Sequence, residues 1–114
     1  NAEYNTAMRD TIDITTLIQN VVKIVKEYFS MDLDETSLNY QRFVTHLRFL
    51  AQRIIGGEML NSDNPEFNQL ISQMYPEEYA CSLKLKDYIQ VTYHHDVTEE
   101  ETAYLAVHIK RIRI

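Results

Sequence analysis

Four histidines and one cysteine carry the ring nitrogens and the thiol that can act as nucleophiles or nitrogen and sulfur metal ligands near neutral pH. His46 lies within the run Leu38 to Ile55, where Phe43, Leu47, Leu50 and Ile54 recur at helical spacing. At 3.6 residues per turn the imidazole falls on the shoulder of that apolar stripe, in line with Arg42, Phe49 and Arg53. His108 repeats the pattern beside Tyr104, Leu105, Ile109 and Ile112, with Arg111 three positions on. His94 and His95 are adjacent, so on a helix they point apart and chelate poorly; a helix C-terminus is reason enough for them. Cys81 sits on an apolar stripe without a flanking catalytic signature.

Several chemistries are disfavoured. No HExxH or CxxC spacing offers a metal site, and no glycine-rich loop offers a phosphate cradle. An acid–base enzyme needs paired groups in a cleft, for which the sequence gives no pattern. Two readings of His46 and His108 remain. Each can be a half-buried structural histidine, neutral and satisfied by one donor and one acceptor. Alternatively the imidazole is itself the substrate, because a neutral ring nitrogen is nucleophilic near pH 7. A phosphoryl group would then place about −1.5 to −2 of charge on a helix face, where nearby arginines could bind it.

The elements that must position these rings are all helical by pattern. Residues 1–12 are polar and aperiodic, and read as a linker from a preceding domain. Asp13 is a plausible cap for a first helix from Thr15 to Phe29, whose stripe is Ile14, Leu17, Ile18, Val21, Val22, Val25 and Phe29. Asp32-Leu33-Asp34 interrupts it, and Asp34 can cap the helix of His46, which Gly56-Gly57 closes. Glu58 to Asn64 reads as a loop. Asn64-Pro65 opens a short third helix with Phe67, Leu70, Ile71 and Met74 as apolar positions. Tyr75-Pro76 restarts the chain into a fourth helix running to His94, with Cys81, Leu85, Tyr88, Ile89 and Thr92 on one face. Thr98 and Glu101 form a capping box for the last helix, which ends in basic residues. The expectation is an all-α, compact five-helix bundle: two antiparallel helix pairs plus one short helix, with residues 13–114 as the domain.

Bulk properties agree with one domain. A chain of 114 residues buries roughly two-thirds of its unfolded surface and can hold a core without staples. One cysteine suits a reducing compartment, and no apolar run approaches the roughly 20 residues of a membrane span, so a cytoplasmic location is expected. The formal charge of −6, with scattered Lys and Arg, argues against direct nucleic-acid binding by this segment.

Two blocks of sequence carry a family resemblance. Phe43-Val44-Thr45-His46-Leu47-Arg48-Phe49-Leu50-Ala51-Gln52-Arg53 with Gly56-Gly57, and Glu100-Glu101-Thr102-Ala103-Tyr104-Leu105-Ala106-Val107-His108-Ile109-Lys110-Arg111, resemble the PTS regulation domain (PRD). The resemblance is greatest to the second such domain of BglG/LicT/SacY-type transcriptional antiterminators, and Asn1-Ala2-Glu3 resembles the junction leaving a first one. It implies a five-helix bundle of two antiparallel pairs plus a fifth helix. It implies that His46 and His108 are phosphoryl acceptors, with HPr, or a sugar permease of the phosphotransferase system, as donor. It further implies a homodimer whose arrangement phosphorylation shifts and a separate N-terminal RNA-binding domain. The absence of catalytic and ligand-binding motifs leads separately to the expectation of no enzymatic activity and no cofactor. Arg42, Arg53 and Arg111 as phosphate partners follow from helix geometry instead; on that view Arg53→Ala weakens phospho-dependent dimerisation without unfolding the domain. Two other readings are a PRD of a DNA-binding activator and a histidine phosphotransfer bundle, although relays usually expose one acceptor histidine.

Overall fold

The computed structural model describes residues 2–60 and 64–113, with side chains from residue 14 onward. Five helices account for its regular structure: α1 (Ala2–Phe29), α2 (Leu38–Gly56), α3 (Pro65–Met74), α4 (Pro76–Tyr93) and α5 (Glu99–Ile112). Helix α1 packs on α2, and α4 on α5. The two pairs meet through α2 against α5 and α1 against α4, while α3 lies on α5 and α4. The all-α five-helix expectation holds.

Phe43, Leu47, Leu50 and Ala51 of α2 are buried against Leu17, Val21, Val22 and Val25 of α1, Cys81, Leu85 and Ile89 of α4, and Leu105 and Ile109 of α5. Each of these stripes repeats every three or four residues, so one face of each helix leaves water. A satellite cluster of Ile71, Ala103 and Ala106 seats α3 on α5, with Phe67, Tyr75, Tyr79 and Val107 packed around it. Small residues at 103 and 106 let that short helix approach closely.

The structure differs from the sequence-based expectation at several boundaries and faces. Helix α1 begins at Ala2 rather than Thr15, so Asp13 lies within it and is no cap. A polar, aperiodic stretch without Gly or Pro can still be helical; the missing period reports only the missing apolar face. Asn1 and residues 61–63 lie outside the described residues. Ser37, not Asp34, caps α2 by accepting from the Tyr40 amide, while the Asp34 carboxylate accepts from the amide and hydroxyl of Thr36. Gly57 ends α2 at φ 67°, a left-handed conformation that suits a residue without Cβ. Asn64 caps α3 and Pro65 occupies its first turn, as expected.

Leu70 and Met74 of α3 are exposed, as is Thr92 of α4, and Tyr104 of α5 is partly exposed. A short helix touching neighbours along one narrow seam cannot bury four apolar positions. His94 ends α4 in the left-handed region at φ 55°. Thr98 accepts from the Glu101 amide, but the Glu101 carboxylate does not reach back as a capping box requires. It reaches across to α2, and the site is organised around it.

Candidate functional site

Helices α2 and α5 cross where each carries a histidine on the edge of its buried stripe. His46 and His108 therefore face one another, with ring centroids 4.7 Å apart and planes inclined by 38°. Phe43, fully buried one turn before His46, lies against the His108 ring at 6.1 Å, and Tyr104 lies against His46 at 6.3 Å. Sequence separation gave no hint of this contact.

Glu101 holds His46 from one side. Its carboxylate accepts from His46 Nε2 at 2.9 Å and from Arg53 through Nε at 3.1 Å and Nη2 at 2.8 Å. Only 3% of the Glu101 side chain is exposed, so the carboxylate depends on these donors in place of water. Burial alone would raise its pKa, but the His46 hydrogen bond and the Arg53 charge outweigh burial and hold it below the ordinary carboxylate value. An ionised carboxylate can only accept, so the His46 nitrogen facing it carries the hydrogen.

His108 lies in a different environment. Its Nδ1 is buried without a hydrogen-bond partner. Burial, followed by the neighbouring charges of His46 and Arg111, pushes its pKa down to about 4. The ring is thus neutral throughout the physiological range.

Two hollows open beside the rings. One of about 550 Å³ is lined by His46, Phe49, Arg53, Leu60, Phe67, Tyr104, Val107, His108 and Arg111. The other, about 440 Å³, lies among Leu38, Gln41, Arg42, Thr45, His46, Phe49 and His108. The structure thus gathers His46, His108, Arg42, Arg53 and Arg111 around one crossing. Arg53 is not a free cation awaiting an anion: it is already committed to Glu101. His94 and His95, at the end of α4, line neither hollow.

Sequence reasoning read Glu101 as a cap and missed it as a site residue. A signal existed: Glu101 and His108 share one face of α5 two turns apart, as His46 and Arg53 do on α2. Laying those two faces together pairs the carboxylate with the imidazole and guanidinium. Among the described residues no group of three or more His, Cys, Asp or Glu side chains is placed to hold a metal ion.

Cys81 takes no part. It is fully buried in α4, and burial pushes its thiol up to about 12, with Arg113 and Glu78 acting in opposite directions. The thiolate is the reactive species, so iodoacetamide at mildly alkaline pH will leave Cys81 unmodified in the folded domain and alkylate it in denaturant. Equal rates in both states, measured by mass spectrometry, would contradict the burial.

Arg113 instead closes the far end of α5. It donates to the buried Glu78 at 2.7 Å and to Glu77 at 3.1 Å, with its guanidinium 3.8 Å from the Phe29 ring centroid. Among the described residues no helix is long and apolar enough to cross a membrane.

Comparison with known proteins identifies the family of the chain. The family model described as PRD domain matches residues 19–112. The chain is 39% identical over 112 residues to "Transcription antiterminator LicT" of Bacillus subtilis, covering 98% of this chain and 40% of that protein. It is 35% identical over 113 residues to the "Beta-glucoside operon antiterminator" of Dickeya chrysanthemi, covering 99% and 40% respectively. It is also 30% identical over 108 residues to "Protein GlcT" of Staphylococcus epidermidis, covering 95% and 38%. The chain thus spans about two-fifths of the length of these relatives. Both histidine blocks fall inside the matched region, and on the extent of these matches the chain belongs to the PRD domain family.

Proposed function

We propose that this chain is a phosphorylation-responsive regulatory domain of a longer transcription antiterminator, the second PRD of that protein, in which His46 and His108 accept phosphoryl groups from the sugar phosphotransferase system. HPr is the proposed donor, with a sugar permease of the same system as a second source. The domain acts as a homodimer, and an RNA-binding domain in the full-length protein reads the outcome. Residues 1–12 lead in from the preceding domain. The observation that carries this reading is the facing pair of imidazoles on α2 and α5, bordered by two hollows with arginines in their walls.

The chemistry asked of the rings is modest. A neutral imidazole keeps a nucleophilic lone pair, and the depressed pKa of His108 preserves one at any physiological pH. The product matters more. A phosphoryl group brings about −1.5 to −2 of charge to a seam that already holds the Glu101 carboxylate. Arg42 and Arg111 line the hollows and can answer that charge, while Arg53 can do so only by leaving Glu101. Moving these bonds between two arrangements of α2 and α5 biases the packing by a few kcal/mol, enough to shift a two-state dimer equilibrium.

Incubation of the domain with phosphoenolpyruvate, enzyme I and HPr, followed by mass spectrometry under conditions that preserve phosphohistidine, tests the proposal. The unmodified sequence should take up phosphate at His46 and His108. His46→Ala and His108→Ala should each lose one site, and the double variant both. No phosphate on either ring would end this reading.

A further inference from the structure

The two histidines present different nitrogens to an incoming donor. On His46, Nε2 is occupied: it donates at 2.9 Å to an ionised carboxylate that is itself pinned through two nitrogens of Arg53. A phosphoryl group on Nε2 would have to take the place of the carboxylate oxygen and remain beside its negative charge. Nδ1 of His46 takes no hydrogen bond among the described residues, is not one of the buried unpartnered atoms, and belongs to a ring bordering both hollows. On His108 the accessibility is reversed. There Nδ1 is the buried, unpartnered atom, so a donor can meet only Nε2.

We propose that Glu101 is a positioning residue that fixes the His46 tautomer and directs phosphorylation to Nδ1, whereas His108 is phosphorylated on Nε2, so that one domain carries two chemically distinct phosphohistidines. This rests on the reading of both rings as phosphoryl acceptors. The donor is a protein phosphohistidine whose ring is protonated on its other nitrogen. The His46 Nδ1 lone pair forms the new N–P bond as the donor's N–P bond breaks, and the electron pair of the broken bond stays on the donor ring. The N–H of each ring remains in place, so the positive charge of the phosphorylated imidazolium passes from the donor to His46. That charge develops with Glu101 facing it at Nε2, where a carboxylate stabilises an imidazolium. At His108 the same step runs through Nε2, with the ring hydrogen on Nδ1. No comparable carboxylate bond stabilises the charge there among the described residues, so His108 is the slower acceptor.

The distinction can be read in two ways. Long-range ¹H–¹⁵N correlation on histidine-labelled, unphosphorylated protein at neutral pH reports the tautomer, and His46 should be the Nε2–H form. Phosphorylation of His108→Ala with phosphoenolpyruvate, enzyme I and HPr, followed by ³¹P–¹⁵N correlation, should show the Nδ1 isomer at His46 in at least about tenfold excess, the discrimination a hydrogen bond to a charged group provides. The Nε2 isomer should form on His108 in His46→Ala. In Glu101→Gln the side-chain amide can either donate or accept, so the isomer ratio at His46 should move toward unity while the fold is retained. A His46 Nδ1–H tautomer, or phosphate on His46 Nε2, overturns the assignment and leaves both rings as acceptors. Absence of phosphate from both rings overturns the acceptor reading and this inference with it.

Discussion

Arg53→Ala will lower the melting temperature of the unphosphorylated domain by about 10 °C, an effect present before any phosphoryl group arrives. The guanidinium supplies three of the four hydrogen bonds to the Glu101 carboxylate, and that carboxylate is almost fully enclosed. Removing one partner of a buried charged pair leaves the other unpaired, a cost of roughly 3–5 kcal/mol when burial is complete. Arg53 is 21% exposed, so water enters the vacated space and about 2–3 kcal/mol is the expected loss. For a domain of this size that corresponds to about 10 °C. Helix geometry alone assigned Arg53 to the phosphorylated state; the structure gives it a role in the resting state as well.

A double-mutant cycle sharpens the test. Arg53→Ala combined with Glu101→Gln should cost clearly less than the sum of the single changes, because the second removes the charge that the first left unpaired. Additive losses in thermal melts, or an unchanged melting temperature in Arg53→Ala, would show that the pair does not bind α2 to α5.

Acidification will destabilise the domain below about pH 6.5, and His108→Leu will flatten that dependence. An unfolded histidine titrates near 6.5, whereas His108 in the fold is pushed down to about 4 by burial and by the charges of His46 and Arg111. Between those values the unfolded chain binds a proton that the folded domain refuses. The stabilisation is therefore complete above 6.5 and is lost as pH falls toward 4. Water reaches part of the ring, so about 1–2 kcal/mol is expected over this window rather than the full value of the shift. Glu101 adds a loss of the same sign lower down: its pKa is held below the ordinary 4.5, so its contribution fades as pH falls below that value. Melts of the original sequence and His108→Leu at pH 7, 5.5 and 4.5 separate the two. Parallel curves from 6.5 to 4.5 would refute the assignment to His108.

Much of the architecture was legible in order. The stripes Leu17-Val21-Val25, Phe43-Leu47-Leu50 and Cys81-Leu85-Ile89 are all buried, because a repeat of three or four residues states which helix face leaves water. Local chemistry marked the ends equally well where one residue had one role: Asn64-Pro65 opens α3, and Gly57 closes α2. The same signals failed where a residue had competing partners. Asp34 had the chemistry of a cap but turned to Thr36, leaving Ser37 to cap α2. In α3, four apolar positions were visible, but only Ile71 found a buried place.

The sequence by itself determined five helices, their principal buried faces, and two histidines at the edges of two of those faces. Periodicity and capping are local, so a chain states them wherever it is read. Only the tertiary structure decided that His46 and His108 lie face to face, that Glu101 binds α2 instead of its own helix N-terminus, and that His108 hides its Nδ1. Those outcomes depend on how α5 crosses α2. That crossing is set by the fit of Phe43, Leu47, Leu105 and Ile109 into one shared core, and no single helix records it.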